Sequence, residues 1–170
     1  GQHGSGDGEL DQPYGLSVGP SGDVYVADQL NHRIQRFDAS GGFVAKWGSY
    51  GSGPGELFAP GDVAVDPAGN LYVADTGNHR IQKLGPDGTP LAVWGSLGSA
   101  PGELDGPVGI ALDAAGDVYV ADAGNSRIQK FSSGGAYLAS WGSWGEAPGQ
   151  FDGVRGVAVD PEGTVYAADT

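Results

Sequence analysis

The histidines come first, because an imidazole side chain can bind a metal or exchange a proton near neutral pH. The chain has three of them, His3, His32 and His79, and it has no cysteine. His32 and His79 lie 47 residues apart in matching Asn-His-Arg segments, whereas the third copy of this segment has Ser126. His3 falls at a different point of the pattern, and a zinc site needs three or four protein ligands. The sequence therefore predicts neither a metal site nor a cofactor.

No other group of residues has the spacing of a catalytic site. The sequence contains no Gly-x-Ser-x-Gly elbow, and without cysteine it has no thiol nucleophile. The glycine-rich segment 51–55 lacks the lysine that belongs to a phosphate-binding loop. We predict no catalytic residues, and this favours a binding protein over an enzyme.

Several polar residues recur at fixed points of the chain, and we interpret them as structural. Four aspartates each end a short apolar segment: Asp28, Asp75, Asp122 and Asp169. An aspartate before a turn accepts backbone N–H groups and stabilises that turn. Arg33, Arg80 and Arg127 follow three of them at the same spacing, and we expect each arginine to pair with its aspartate or to tie neighbouring repeats.

The elements that position these residues repeat with a period of 47. The aspartates at 28, 75, 122 and 169 keep this step, as do the segments that begin at Arg33, Arg80 and Arg127. Trp47, Trp94 and Trp141 keep it too. Three markers in phase indicate tandem repeats of one structural unit, and we place the repeats at approximately 1–47, 48–94, 95–141 and 142–170 within a single domain, 1–170.

Each repeat contains four short segments rich in Val, Ile, Tyr and Leu, separated by turn-forming residues. In the second repeat these segments are 63–66, 71–75, 80–84 and 91–94. The Leu71–Asp75 segment is apolar on both faces, whereas a sheet with one face in water would alternate apolar and polar residues. The pattern therefore predicts an all-β fold, a β-propeller of four-stranded antiparallel blades.

Residues that differ between the copies are the better candidates for function. The first strand of a blade lines the central channel, and the loops before strands one and three emerge on the same face. Tyr14 and Arg155 precede a first strand, and Asp62 stands where the other copies have glycine. We define a candidate binding surface, the loop face, which comprises Tyr14, Tyr50, Asp62, His32, His79, Trp144 and Arg155. The alternative is neutral variation in solvated loops.

The segment Gly69-Asn-Leu-Tyr-Val-Ala-Asp-Thr-Gly-Asn-His-Arg-Ile-Gln-Lys83 closely resembles the NHL repeat. The first repeat departs from it at Gln29-Leu30, the third has Ser126 in place of histidine, and Asp62 occupies a usual glycine position. The resemblance implies an NHL propeller, a fold used for protein interaction, RNA recognition, extracellular sensing and, in one group of lyases, metal-dependent catalysis. It implies a fold but does not choose among these functions.

About three and a half blades are present, and NHL propellers usually close with about six. We therefore interpret the chain as a segment of a larger six-bladed propeller rather than as a self-assembling short form. An open arc exposes the apolar faces of its end blades, so self-association through these ends is expected.

The charge narrows the classes of partner. The net charge of −13 disfavours nucleic acid and anionic membranes, and no apolar run is long enough to cross a bilayer. A protein, or a neutral or cationic ligand, is expected. Our leading interpretation is a non-enzymatic binding or scaffold propeller, an extracellular or cell-surface sensor segment; the alternative is a segment of a propeller hydrolase or lyase with a metal in its channel.

Overall fold

The structure is a computed structural model that describes residues 2–170, and these residues form sixteen β-strands. Strands β3 to β6 make blade 1 and comprise Pro13–Val18, Val24–Asp28, Arg33–Phe37 and Phe43–Trp47. Strands β7 to β10 make blade 2 and comprise Asp62–Val65, Leu71–Asp75, Arg80–Leu84 and Pro90–Trp94. Each blade is a four-stranded antiparallel sheet in which neighbours in sequence are neighbours in space.

Blade 3 repeats this arrangement, and the fourth sheet has two strands. Strands β11 to β14 comprise Pro107–Leu112, Val118–Asp122, Arg127–Phe131 and Tyr137–Trp141. The fourth sheet contains β15 and β16, at Val154–Val159 and Val165–Asp169. These sheets confirm the predicted β-propeller of three and a half blades, which is open.

The loops between blades form a further regular element. The two shortest strands, β1 at Gln2–His3 and β2 at Glu9–Leu10, pair in parallel within the loop before blade 1. A single parallel bridge stands at the same place in each later loop, as in Tyr50↔Leu57. Three short 3₁₀ turns join the second and third strands of the complete blades, at Gln29–Asn31, Thr76–Asn78 and Ala123–Asn125. None of these helical turns in residues 2–170 has the length or apolar character needed to cross a membrane.

The core lies between the blades, as the two apolar faces of the second strand require. Between blades 1 and 2, Tyr25, Ala27 and Ile34 pack against Val63 and Leu71. An equivalent cluster lies between blades 2 and 3, and a smaller one lies between blade 3 and the fourth sheet. All five residues of β8 and of β12 are buried, which explains why these strands carry no alternating pattern.

Two of the repeated tryptophans, Trp47 and Trp94, join adjacent blades. Trp47 stacks on Tyr25 of its own blade, with ring centroids 6.0 Å apart, and also packs against the cluster shared with blade 2. A Cβ atom on Gly88 of blade 2 would collide with the Trp47 indole, so this turn must approach the ring without a side chain. Trp94 meets Gly135 of blade 3 in the same way.

Candidate functional site: the loop face

The loops that carry the candidate residues lie on one face, and hydrogen bonds hold them there. In each complete blade, an asparagine of the 3₁₀ turn donates its Nδ2–H to a carbonyl of the preceding inter-blade loop. The three bonds are 2.8 Å long and run from Asn31 to Gly4, from Asn78 to Gly51 and from Asn125 to Gly98. The predicted proximity of these two kinds of loop is therefore correct.

The repeated aspartates stabilise this face from beneath. Asp75 is fully buried, and its carboxylate accepts hydrogen bonds from Asn78, from Nε of Arg80 at 2.6 Å and from Gln82. It also accepts the backbone N–H of Phe58 at 2.8 Å. Asp28 and Asp122 make the equivalent contacts. The arginines thus pair with the aspartates, which agrees with the structural role predicted for both.

His32 and His79 each connect one blade to the next loop. Both residues follow a 3₁₀ turn in the left-handed conformation, with φ of 55° and 54°. The Nδ1 atom of His32 accepts the backbone N–H of Ala59, and that of His79 accepts the backbone N–H of Gly106, both at 3.0 Å. In residues 2–170 no three His, Cys, Asp or Glu side chains are grouped so that they could hold a metal.

An aromatic cluster lies at the junction of blades 1 and 2. The ring centroids of His32 and Tyr50 are 5.0 Å apart, those of Tyr50 and Phe58 are 5.4 Å apart, and those of His32 and Phe58 are 5.7 Å apart. Tyr50 is 68% exposed and Phe58 is 39% exposed. The structure therefore brings together two of the predicted residues, and it adds Phe58, which the sequence analysis missed.

Phe58 has a sequence signal that could have revealed it. The equivalent positions in the other copies are Asp11, Asp105 and Asp152, so Phe58 departs from the repeat as Asp62 does. Only the packing shows that the ring completes a cluster with His32.

Three other candidate residues form a second group, which we call the channel mouth. Tyr14 and Arg155 lie within the first strands β3 and β15 rather than before them, because those strands begin one residue earlier, and Asp62 begins β7. Tyr14, Asp62 and Arg155 line one cavity of about 260 Å³, together with first-strand residues of the four sheets. The Asp62 carboxylate accepts the backbone N–H of Val63 at 2.8 Å and that of Ile110, on the neighbouring blade, at 3.1 Å. Burial raises the pKa of Asp62 from 3.8 to about 6, and the two hydrogen bonds oppose this rise.

The remaining candidates stand apart from both groups. Trp144 is on the loop before the fourth sheet, two blades away from Tyr50, and its Nε1–H donates to Asp152 at 3.1 Å. His79 lies at the junction of blades 2 and 3, where Leu97 occupies the position of Tyr50. The loop face therefore divides into an aromatic cluster, a channel mouth, and two isolated side chains.

The comparison with known families agrees with this geometry. A sequence model of the NHL repeat matches residues 10–37, 59–84 and 104–131, one segment in each complete blade. The chain therefore contains three NHL repeats. Two proteins of Caenorhabditis elegans share part of the NHL array. Protein lin-41 is 52% identical over 46 residues, and the B-box type zinc finger protein ncl-1 is 46% identical over 43 residues.

These matches cover 27% and 25% of the chain but only 4% and 5% of the two relatives. Solved structures extend the likeness to nearly the whole NHL chain. A streptogramin B lyase superposes with a TM-score of 0.69 at 17% identity, over 92% of this chain and 48% of that one. A hydrazine synthase of Kuenenia stuttgartiensis gives 0.70 at 22% identity, over 98% and 44%. These TM-scores establish the propeller fold, whereas sequence identities this low leave the function of the chain open.

The opposite face of the NHL blades carries a cavity of about 650 Å³ that the sequence analysis did not anticipate. The turns between first and second strands line it, and each begins with an aspartate that accepts backbone N–H groups: Asp66, Asp113 and Asp160. Lys83 extends into this cavity with its Nζ 4.7 Å from the Tyr72 ring centroid. These aspartates stabilise their turns, and the cavity arises where the turns of blades 2 and 3 and of the fourth sheet lie side by side.

Proposed function

We propose that this NHL propeller is a non-enzymatic binding module that recognises a protein or peptide through its loop face. The aromatic cluster of Tyr50, His32 and Phe58 is the observation that carries this proposal. Aromatic side chains that combine apolar area with hydrogen-bonding groups are enriched in protein interfaces. They also dominate the binding energy when a partner covers them.

The electrostatics favour a cationic partner. The net charge is −13, and opposite charge on a partner raises the rate of association and helps to orient it. The channel mouth offers one carboxyl, one guanidinium and one phenol, a set suited to hydrogen bonding with a ligand. This set holds a single carboxylate, which supports binding rather than the alternative of metal-dependent hydrolysis or elimination. Closure with six blades and an extracellular or cell-surface setting belong to the same proposal.

Selection from a random peptide library displayed on phage tests the proposal. Peptides selected on the wild-type chain are measured against Tyr50→Ser, which removes the most exposed ring of the cluster. Leu97→Ser is the matched control, because Leu97 holds the equivalent position one blade further on and is 65% exposed. We expect Tyr50→Ser to weaken binding about tenfold or more, as loss of an interface anchor does, while Leu97→Ser changes it little.

Both variants should retain the wild-type circular dichroism spectrum and melting temperature, since both side chains lie on the surface. Equal affinity of the selected peptides for wild type and Tyr50→Ser would show that the aromatic cluster is not the binding surface. A further variant, Trp144→Ser, determines whether the selected peptides reach across two blades.

A further inference from the structure

The cavity of about 650 Å³ on the face opposite the loop face contains a lysine that differs from its counterparts. The fourth residue of the third strand is a cation in every complete blade: Arg36, Lys83 and Lys130. Nε of Arg36 donates to Asp23 at 2.7 Å, and Nζ of Lys130 lies 2.8 Å from Asp117. Within residues 2–170, Lys83 has no such carboxylate partner, and its one hydrogen bond goes to a backbone carbonyl.

A single difference between the blades explains why Lys83 lacks a carboxylate. Asn70 stands at the position of Asp23 in blade 1 and of Asp117 in blade 3. An amide carries no charge to attract the ammonium, and Nδ2 of Asn70 also donates to Asp66 at 2.8 Å. In blade 3 the aspartate equivalent to Asp66 accepts the lysine ammonium instead. The asparagine therefore removes one acidic partner of Lys83 and occupies the other.

The hydroxyl of Tyr72, beside Lys83, also lacks an acceptor. In blade 3 and in the fourth sheet, the equivalent tyrosine hydroxyl donates to the aspartate that begins the turn, at 3.2 and 3.0 Å. In blade 2 that oxygen of Asp66 accepts the Asn70 amide, and no residue between 2 and 170 accepts a hydrogen bond from the Tyr72 hydroxyl. Tyr72 is 1% exposed and lines the cavity, and its hydroxyl is thus a donor at the cavity wall.

Lys83 and Tyr72 bring two hydrogen-bond donors to one place. Nζ of Lys83 lies 4.7 Å from the Tyr72 ring centroid and 3.5 Å from the carbonyl oxygen of Ser133, at the outer limit of a hydrogen bond. An ammonium group carries several N–H donors, and this one long contact does not satisfy them. Donors that lack an acceptor at a half-buried position cost free energy, which a ligand with an acceptor group recovers. All three residues belong to the adjacent blades 2 and 3.

The acceptors of the cavity are already engaged, and the rest of its wall is apolar. Asp66, Asp113 and Asp160 each accept backbone N–H groups of their own turn, and Asp113 also pairs with Lys130 at 3.1 Å. Between them the cavity is lined by apolar side chains: Val65, Pro67, Leu112, Val159 and Pro161. Small-molecule sites commonly combine such a wall with a few polar groups that orient the ligand.

From these observations we infer that this cavity is a second binding site, which takes a small carboxylic acid with an apolar body. The carboxylate accepts hydrogen bonds from Nζ of Lys83 and from the Tyr72 hydroxyl, and the apolar body lies against the wall between the turns. Hydrogen bonds between charged groups are stronger than neutral ones, which favours a carboxylate over a neutral acceptor. A single ammonium beside three carboxylates suits a ligand with one negative charge, because the aspartates repel a more highly charged group such as phosphate.

Hydrocinnamate, a carboxylate joined to a phenyl ring by a short alkyl chain, is the probe, and hydrocinnamamide is its neutral counterpart. Each compound is titrated into the complete chain, and amide chemical shifts measured by NMR report both the affinity and the place of binding. We expect a dissociation constant of about 0.1–1 mM for the acid, since a ligand of about a dozen non-hydrogen atoms has limited contact area. The neutral amide should bind about tenfold more weakly. The largest shifts should fall in residues 66–72 and 132–134.

Two variants test the two donors separately. Lys83→Met keeps the length of the side chain and removes its charge, and it should weaken binding of hydrocinnamate about tenfold. Lys46→Met is the matched control, because it removes the same charge from an exposed lysine of blade 1 and should leave the affinity unchanged. Tyr72→Phe should weaken binding about fivefold, as loss of one hydrogen bond does. It should keep the wild-type melting temperature, because the hydroxyl has no acceptor in residues 2–170.

Asn70→Asp is the sharper test, because it leaves both donors in place. It restores the carboxylate that stands at this position in blades 1 and 3. We expect this carboxylate to pair with Lys83, as Asp117 pairs with Lys130, and so to weaken binding of hydrocinnamate about tenfold. The melting temperature should stay the same or rise, and the affinity for hydrocinnamamide should change little.

The inference would be overturned if hydrocinnamate showed no saturable binding, if the acid and the amide bound equally well, or if the shifted amides lay outside the cavity. It would also be overturned if Lys83→Met and Asn70→Asp both kept the wild-type affinity. Tyr50→Ser changes the other face and should leave this binding intact, so failure of this site is distinguishable from failure of the loop-face proposal.

Discussion

Asp62 illustrates what one departure from the repeat does at the scale of a residue. Gly15, Gly109 and Gly156 stand at its position in the other copies, and a Cβ atom on Gly15 would collide with the Asp62 carboxyl. The carboxyl is thus enclosed between the first strands of neighbouring blades, where the charged form loses much of its hydration. The two backbone hydrogen bonds to Val63 and Ile110 recover only part of that loss.

The raised pKa of Asp62 predicts a distinctive dependence of stability on pH. Well below pH 3.8 the carboxyl is protonated in both the folded and the unfolded chain and has no effect. As the pH rises from 3.8 towards 6, the unfolded chain ionises first, so the free energy of unfolding falls. We expect this group to remove about 2 kcal/mol between pH 4 and 7. Urea unfolding of Asp62→Asn should show a flatter profile over that interval.

Three carboxyl groups with a lowered pKa, those of Asp38, Asp87 and Asp160, do not obscure this interval. Hydrogen bonds to neighbouring N–H and hydroxyl groups lower the pKa of Asp38, Asp87 and Asp160. Their stabilisation is complete above their unfolded pKa and is lost only as the pH falls through the lower, folded pKa. Glu146→Gln, at an exposed position, serves as the control and should keep the wild-type profile. Identical profiles for wild type and Asp62→Asn would contradict the prediction.

For single residues, the sequence predicted which positions are candidates for function but not which side chains surround them. Tyr50 and Asp62 could be identified from the sequence, because each differs from the residues at the same position in the other three copies. It could not show that Tyr50 contacts His32 and Phe58, since that contact joins the turn after the second strand of blade 1 to the loop between blades 1 and 2. The raised pKa of Asp62 also depends on the neighbouring blade, which approaches it 48 residues further along the chain at Ile110.

At the scale of elements, the sequence predicted the strands because every strand is short and bounded by turns. Some boundaries moved in blade 2: the first strand runs from Asp62 to Val65 instead of 63–66, so that Asp66 belongs to the turn, and the fourth strand begins one residue earlier, at Pro90. Asp66 lies in the turn because it accepts the N–H groups of Ala68 and Asn70 and so starts the turn itself. The pairing of Asp75 with Arg80 was predicted, whereas the three carbonyl contacts of each arginine follow from loop geometry.

The hydrogen bonds to Asp75 predict which element of blade 2 loses protection first when this carboxylate is removed. Asp75→Ala leaves the guanidinium of Arg80 and the amide of Gln82 without their buried carboxylate acceptor. We expect a loss of about 3–5 kcal/mol in the free energy of unfolding, measured with urea, because one partner of a buried ion pair is left uncompensated. The third strand and the inter-blade loop of blade 2 should show the largest gain in hydrogen exchange.

The exposed ion pair between Lys46 and Asp7, with an N···O distance of 2.5 Å, provides the comparison. Asp7→Ala should cost less than about 1 kcal/mol, since water screens this pair. A similar loss for both variants would mean that burial of the Asp75 network contributes nothing beyond a surface ion pair.

At the scale of the whole molecule, two opposing forces act between copies. The net charge of −13 makes the copies repel one another, while the end blades expose residues that are buried inside the array. Leu16 in blade 1 is 64% exposed and its counterpart Val63 is 1% exposed; Tyr166 in the fourth sheet is 57% exposed and its counterpart Tyr72 is 1% exposed. The repeat pattern predicted these open faces, but the period is the same for any number of blades and leaves the ring size undetermined.

The balance of these forces predicts how association responds to salt. Val63 packs against Tyr25 inside the array, so the blade 1 face of one copy can pack in the same way against the fourth sheet of another. Salt screens the repulsion between acidic copies but leaves apolar burial intact. Sedimentation velocity should therefore show association that increases with both protein concentration and salt.

Leu16→Gln should reduce this association without changing the charge, whereas Leu91→Gln, exposed on the outer strand of blade 2, should not. Association that salt dissolves, or that Leu16→Gln leaves unchanged, would show that charged contacts rather than the open blade faces hold the copies together.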